Sequence, residues 1–91
     1  MSRPYAKSRL AALLRKRTLE LRPKSQIDIA TEAGFQNPNM VSMLKSGAAK
    51  LPLDRVPALA AALETDPRLL LRLALEQEGF ETAAGAIDEV L

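Results

Sequence analysis

Apolar residues recur along the chain at the three- and four-residue spacing of amphipathic helices. Prolines and glycines fall between these runs, at places where they can start or end a helix. The pattern predicts helices over about 5–21, 26–33, 38–46, 53–63 and 67–78, followed by a short helical stretch from residue 82 to the end. We therefore expect an all-α protein, a compact bundle of about five helices with a short C-terminal helix.

The strongest local signals lie in one short stretch of the first half of the chain. Ser25 is suited to cap a helix, because its hydroxyl can accept a hydrogen bond from a free amide of the first turn. Gly34 follows as the residue that ends this helix with a positive φ, which costs glycine nothing. Asn37 and Pro38 form a second start signal, an N-cap followed by proline at the first helical position. Two short helices joined in this way predict a central helix-turn-helix.

This stretch resembles the helix-turn-helix of the Cro/repressor-type (Xre-like) DNA-binding proteins, which have a lambda-repressor-like fold. The matching features are Gln26 opening the first helix, the small Ala30 where the helices cross, Gly34 in the turn, Val41 and Leu44 facing inward, and Gly47 after the second helix. The resemblance covers about residues 5 to 75. It implies sequence-specific binding of double-stranded DNA by a small transcriptional regulator, a repressor, with helix 38–46 in the major groove. A capped helix pair that serves only as structure is the alternative.

The second helix can be placed in two registers. One treats Gln36 as an insertion in the turn and turns Val41 and Leu44 inward. The other caps the helix with Gln36 and buries Met40 and Met43. We adopt the first register because glutamine is a poor N-cap.

The resemblance assigns base reading to the outward side of helix 38–46. The residues expected to contact DNA bases are Asn39, Met40, Ser42 and Met43. A carboxamide can pair bidentately with adenine, and a methionine can pack on the methyl group of thymine. The residues expected to contact DNA phosphates are Gln26, Asn37, Lys45, Lys50 and Arg3. The helix offers neither arginine nor glutamine, so we expect modest specificity from one half-site.

Composition removes several classes of function. The chain has no cysteine and no histidine, which excludes thiol chemistry, zinc fingers and catalysis by histidine. We expect no enzyme activity, no cofactor and no metal site. No apolar run approaches the ~18 residues of a membrane span, and the N-terminal residues do not form a signal peptide. We therefore expect a cytoplasmic protein that does not bind membranes.

Charge is distributed unevenly along the chain. Residues 1–24 hold eight basic residues and one acidic residue, a net charge of +7. Residues 51–91 hold three basic and eight acidic residues, a net charge of −5. A polyanion would be attracted to the first part and repelled by the second, which agrees with DNA as the partner.

The ends of the chain give further expectations. We expect residues 1–4 to be a flexible basic arm, whose Arg3 either reaches the DNA or has no role, and residues 5–78 to be the DNA-binding domain. We expect residues 79–91 to form a helical tail, in which Phe80, Ile87 and Val90 predict a homodimer contact. Folding of the tail onto its own core is the alternative.

A partner other than DNA is also open. Met40 and Met43 could form a soft, adaptable patch for a protein, as an antitoxin or a phage adaptor module would need. Salt dependence separates the two cases, because phosphate binding weakens steeply with salt and apolar docking does not.

Overall fold

The computed structural model describes residues 3–79, and these residues form five α-helices without any strand. The helices are α1 (Arg9–Glu20), α2 (Gln26–Glu32), α3 (Met40–Ser46), α4 (Val56–Leu63) and α5 (Pro67–Gln77). A single 3-10 turn, Leu53–Arg55, leads into α4. The expected all-α bundle is confirmed. The C-terminal helix and the tail contact expected from Phe80, Ile87 and Val90 lie outside the described residues.

One apolar core joins all five helices. α1 packs on α3 and α5, α2 packs on α3 and α4, and α4 packs on α5. The residues that the helical spacing turned inward are buried as expected. They include Leu10, Leu14, Ile29, Ala30, Val41, Leu44, Val56, Leu59, Ala60, Leu63, Leu70 and Leu73. None of the described helices is long and apolar enough to cross a membrane.

The predicted start of the first helix at residue 5 is wrong, because α1 begins four residues later. Ser8 is the N-cap, with extended backbone and a hydroxyl that accepts the Ala11 amide at 3.1 Å. Residues 4–7 form a turn instead, and the Tyr5 amide donates to the Gly47 carbonyl at 2.9 Å. A Cβ on Gly47 would overlap the backbone of Tyr5 and Ala6. Gly47 therefore has a second role besides ending α3. Because it has no Cβ, the backbone of residues 4–7 can pack directly against it.

The caps predicted for α2 are confirmed. The Ser25 hydroxyl accepts the Asp28 amide, and the Asp28 carboxylate accepts the Ser25 amide, both at 3.0 Å. This reciprocal pair is a capping box, and the bond from the Ser25 amide holds the pKa of the Asp28 carboxyl below its usual value. Gly34 has a φ of +77°, and the next amide, that of Phe35, donates back to Ala30 at 3.0 Å. This is a Schellman ending for the helix.

The start of α3 differs from the predicted helix 38–46 by two residues. α3 begins at Met40 with Asn39 as its N-cap. The Asn37 side chain accepts the Asn39 amide at 2.9 Å, and the Asn37 carbonyl accepts the Met40 amide at 3.1 Å. Asn37 and Pro38 thus form a turn ahead of the helix, because the Asn37 carbonyl accepts the amide three residues on, whereas an α-helix uses the amide four residues on. The connection over 33–39 is longer than the turn of about 3–4 residues that is usual for a helix-turn-helix.

The adopted register of α3 is confirmed. Val41 and Leu44 are fully buried, whereas Met40 and Met43 are half-buried. Gly47 ends the helix with a φ of +82°, as expected.

The later helices start close to their predicted positions. Asp66 caps α5, its carboxylate accepting the Arg68 amide at 2.9 Å, and Pro67 is the first helical residue. The predicted start of α4 at residue 53 or 54 falls on the 3-10 turn, and regular α-helix begins at Val56. Leu69 and Leu71 of α5 are exposed, so the outer side of this helix carries apolar groups that the core does not cover.

Gln77 forms a buried polar bridge between the start of α1 and the segment that precedes α4. Its side-chain oxygen accepts the amide of Leu51 at 3.0 Å. Its side-chain nitrogen donates to the hydroxyl of Ser8 at 3.2 Å. The last turn of α5 therefore holds both the N-cap of α1 and the segment that leads to α4.

Candidate nucleic-acid interface

The outward side of α3 presents a small, uncharged set of polar groups. Asn39 and Ser42 are exposed, and no hydrogen bond with another of the described residues involves either side chain. Met43 is half-buried beside them. Met40 packs against the core instead, so of the four residues expected to contact bases it is the one turned furthest inward.

Asn37 lies on this same surface rather than apart from it. Its side-chain oxygen accepts the Asn39 amide at 2.9 Å, and its nitrogen donates to the sulfur of Met43 at 3.8 Å. A hydrogen bond to a thioether is weak, so the nitrogen can exchange it for a stronger acceptor. The prediction that Asn37 contacts phosphate stays a prediction, and its position places it next to the base-reading candidates.

Side chains of this kind can read the edges of base pairs in a major groove. A free carboxamide such as that of Asn39 can donate to and accept from adenine at once. The hydroxyl of Ser42 can pair with any base, and the thioether of Met43 offers apolar contact to a thymine methyl. No charged side chain stands among them, so phosphate attraction has to come from elsewhere on the surface.

Several cations of the basic N-terminal part are engaged within the fold. Arg17 donates to the Leu63 carbonyl through two nitrogens, at 3.0 and 2.9 Å, and Lys24 donates to the Ala62 carbonyl at 2.7 Å. Both therefore hold the C-terminal carbonyls of α4, where positive charge is favourable. Arg9 pairs with Glu76 on α5. The charge of residues 1–24 thus overstates the charge available to a partner.

Lys50, one of the expected phosphate contacts, has an internal partner. Its ammonium lies 2.9 Å from the carboxylate of Glu78. The hydrogen bond and the charge of Glu78 raise the pKa of Lys50. A DNA phosphate would have to compete with this pair.

The other expected phosphate contacts are placed differently. Lys45 lies at the end of α3, and none of the described residues pairs with its ammonium. Arg3 is exposed at the start of the described chain. Gln26 is half-buried, and its side-chain oxygen is fully buried with no hydrogen-bond partner among residues 3–79.

Sequence reasoning missed two arginines beside Lys45. Arg15 donates to the Lys45 carbonyl at 2.9 Å, which fixes its guanidinium against the end of α3. Arg22 is exposed, follows α1, and lines a cleft together with Lys45 and Gln26. Arg15 and Arg22 are seven residues apart, a helical repeat that would have put them on one side of α1 and its extension. The contact with α3 could not be read from that spacing.

No group of three or more carboxylates that could hold an ion occurs among the described residues.

Comparisons with protein-family models, with curated proteins and with solved structures each found no match for the chain.

Proposed function

We propose that this protein binds double-stranded DNA in a sequence-specific manner and acts in the cytoplasm as a small transcriptional regulator, a repressor. The observation that carries the proposal is the two-sided character of α3. Val41 and Leu44 are buried on its inner side, while Asn39 and Ser42 are exposed and none of the described residues bonds to their side chains. A short helix held rigidly with polar, uncharged groups outward is suited to the major groove.

The basic groups beside α3 support the same proposal. Arg15 is fixed against the C-terminal end of α3, and Lys45 on that helix has no partner among the described residues. Contacts from such groups to the DNA backbone position a protein without specifying a sequence. Because the outer side of α3 is neutral, these contacts would supply most of the affinity.

The proposal includes a homodimer. One α3 of seven residues reads few base pairs, so a single domain would discriminate weakly between sites. Two copies on half-sites about one DNA turn apart would double the number of bases read. The expected tail contact lies outside the described residues, so the dimer rests on this argument from site size.

Selection of DNA sites by the purified protein tests the proposal. Random duplexes are bound at several salt concentrations, and the bound fraction is sequenced. We expect binding that weakens steeply with salt and enriches a two-fold-symmetric motif. Absence of binding even at low salt would contradict the proposal.

Substitutions then locate the interface. Asn39→Ala should relax the preference at one base pair by about 1–3 kcal/mol, whereas Lys45→Ala should weaken binding to all sequences and lower the salt slope by about one. Arg72→Ala is the matched control, because it removes an exposed cation from α5. If Asn39→Ala left the preferred motif unchanged, α3 would not be the reading helix.

A protein-interaction module, as in an antitoxin or a phage adaptor, is the second candidate. The neutral surface of α3 and the half-buried thioether of Met43 favour it, because such a surface can pack on a protein. The engagement of Arg9, Arg17 and Lys24 within the fold also reduces the charge left for DNA. Binding to a protein that persists at high salt, together with absence of DNA binding, would favour this candidate.

A further inference from the structure

A cleft between the end of α1 and the start of α2 contains polar groups that the fold does not use. We call it the α1/α2 cleft; Leu19, Arg22, Pro23, Ser25, Gln26 and Lys45 contribute to its lining. Its volume of about 620 Å³ falls within the range of roughly 300–1,000 Å³ that is usual for ligand pockets. We propose that this cleft binds a small phosphate monoester that carries an apolar or planar body, such as a nucleoside monophosphate.

Two cations that no described residue binds contribute to the lining of the cleft. Arg22 follows α1 and Lys45 belongs to α3, and neither side chain has a hydrogen bond or an ion pair within residues 3–79. Lys24 also lines the cleft, but its ammonium is engaged with the Ala62 carbonyl and with Glu32. Two unpaired like charges repel each other, and a dianion between them would satisfy both. The charge of the cleft thus matches a phosphate monoester.

Gln26 adds a polar group whose present state is unfavourable. Its side-chain oxygen is buried without a hydrogen-bond partner in the described chain. Burial of an unpaired acceptor is costly, so a hydroxyl or amino group on the body of the ligand that donated to this oxygen would gain free energy, whereas the phosphate dianion itself has no donor to offer it. The neighbouring Ser25 hydroxyl accepts the Asp28 amide and keeps its own proton for a phosphate oxygen.

Another part of the lining is apolar, and this indicates which group the ligand carries besides its phosphate. The side chain of Leu19 is 59% exposed, and Pro23 is exposed beside it in the cleft. A phosphate ion alone would leave these groups in water. An apolar or planar body attached to the phosphate would cover them and gain hydrophobic contact.

Ligand binding is independent of the DNA-binding proposal, but one consequence rests on that proposed function. Lys45 is both a lining residue of the α1/α2 cleft and an expected phosphate contact. A ligand bound there would occupy its ammonium and lower the affinity for DNA. The cleft would then make DNA binding respond to a phosphorylated small molecule.

Titration of the full chain, followed by amide chemical shifts in nuclear magnetic resonance spectra, tests the proposal without DNA. The ligands are adenosine 5′-monophosphate, inorganic phosphate, adenosine and diethyl phosphate. We expect saturable shifts around Arg22, Ser25 and Lys45 with the monophosphate, weaker binding of phosphate, and none with adenosine. Diethyl phosphate represents the DNA backbone with its single charge. If it bound as well as the monophosphate, the cleft would be a site for backbone phosphate and the proposal would be wrong.

Variants identify the groups responsible. Arg22→Gln and Lys45→Gln should each weaken monophosphate binding roughly tenfold, as expected for loss of a charge-assisted hydrogen bond. Leu19→Ser should weaken binding of the monophosphate but not of inorganic phosphate. Arg72→Gln is the matched control, because it removes an exposed cation from α5, away from the cleft. The spectra also show whether each variant is folded.

Besides equal binding of diethyl phosphate, three results would overturn the inference: no saturable shift at millimolar monophosphate, equal binding of adenosine, or equal weakening by Arg72→Gln. A final measurement adds the monophosphate to the complex of the protein with DNA. Absence of DNA binding at that stage would refute the proposed function and leave the ligand site standing. Failure of the monophosphate to bind the protein would refute the ligand site and leave the proposed function standing.

Discussion

Replacement of Gly47 by alanine tests how the N-terminal segment is held on the bundle. Gly47 has a φ of +82°, and an added Cβ would overlap the backbone of Tyr5 and Ala6. Neither segment can relieve this overlap by a side-chain rotation, because the atoms involved belong to the main chain. The hydrogen bond from the Tyr5 amide to the Gly47 carbonyl, 2.9 Å long, would therefore be lost.

Gly34 provides the matched control, because its φ is +77° and nothing lies within 4 Å of an added Cβ. Gly34→Ala should cost about 1–2 kcal/mol, the strain of a left-handed alanine. Gly47→Ala carries the same strain and also loses a hydrogen bond worth about 0.5–1.5 kcal/mol. The total of about 1.5–3.5 kcal/mol is a large part of the roughly 5–15 kcal/mol that stabilises a protein of this kind.

Urea unfolding followed by circular dichroism measures both variants against the parent chain. We expect the midpoint of Gly47→Ala to fall clearly below that of Gly34→Ala, with similar slopes. Equal losses of unfolding free energy in the two variants would refute the reasoning. They would mean that the segment over 4–7 does not pack on Gly47 in solution.

Three further substitutions test the core and the ion pairs. Gln77→Leu removes the acceptor of the buried Leu51 amide and should cost about 1–3 kcal/mol in urea unfolding; an unchanged midpoint would show that the amide has another acceptor. The hydrogen bond from Arg9 lowers the pKa of the Glu76 carboxyl, so this pair stabilises the fold above the usual glutamate range and is lost as the pH falls through the lowered pKa. Thermal unfolding should thus show Glu76→Gln less stable than the parent at neutral pH, with the difference closing in acid, and a constant difference would contradict this. Val41→Asp places an unpaired charge at a fully buried position and should abolish cooperative unfolding in calorimetry.

The order of the helices and most of the inward-facing residues could be predicted from the sequence, because their causes are local. Ser25 caps α2 and Asp66 caps α5 through bonds to amides two or three residues away. Apolar spacing correctly placed Val41 and Leu44 in the core. The predicted start of α3 was wrong, and the reason is local as well. The Asn37 side chain accepts the Asn39 amide as a cap would, but the Asn37 carbonyl accepts the Met40 amide three residues on, so a turn precedes the regular α-helix.

The features that sequence reasoning missed depend on contacts between distant parts of the chain. Arg17 donates to the Leu63 carbonyl, 46 residues away, and a basic residue in a charged run gives no sign of such a partner. Lys50 and Glu78 form a pair across 28 residues in the same way. The candidate interface is affected most, because its charge depends on which cations remain free after folding. Composition alone could not distinguish Arg22, which has no side-chain partner within residues 3–79, from Arg17, which is bound to the end of α4.

The bridge made by Gln77 has a consequence for synthesis of the chain. A protein is made from its N-terminus, so Ser8 and Leu51 are present before Gln77 has been added. The bond between Gln77 and Ser8 spans 69 residues, nearly the whole described domain. Until Gln77 has been added, the Leu51 amide also lacks its acceptor, the Gln77 side-chain oxygen, and the incomplete domain is less stable. We therefore expect the domain to fold only after α5 has been synthesised, and the two helices α2 and α3 not to form a stable unit when expressed alone.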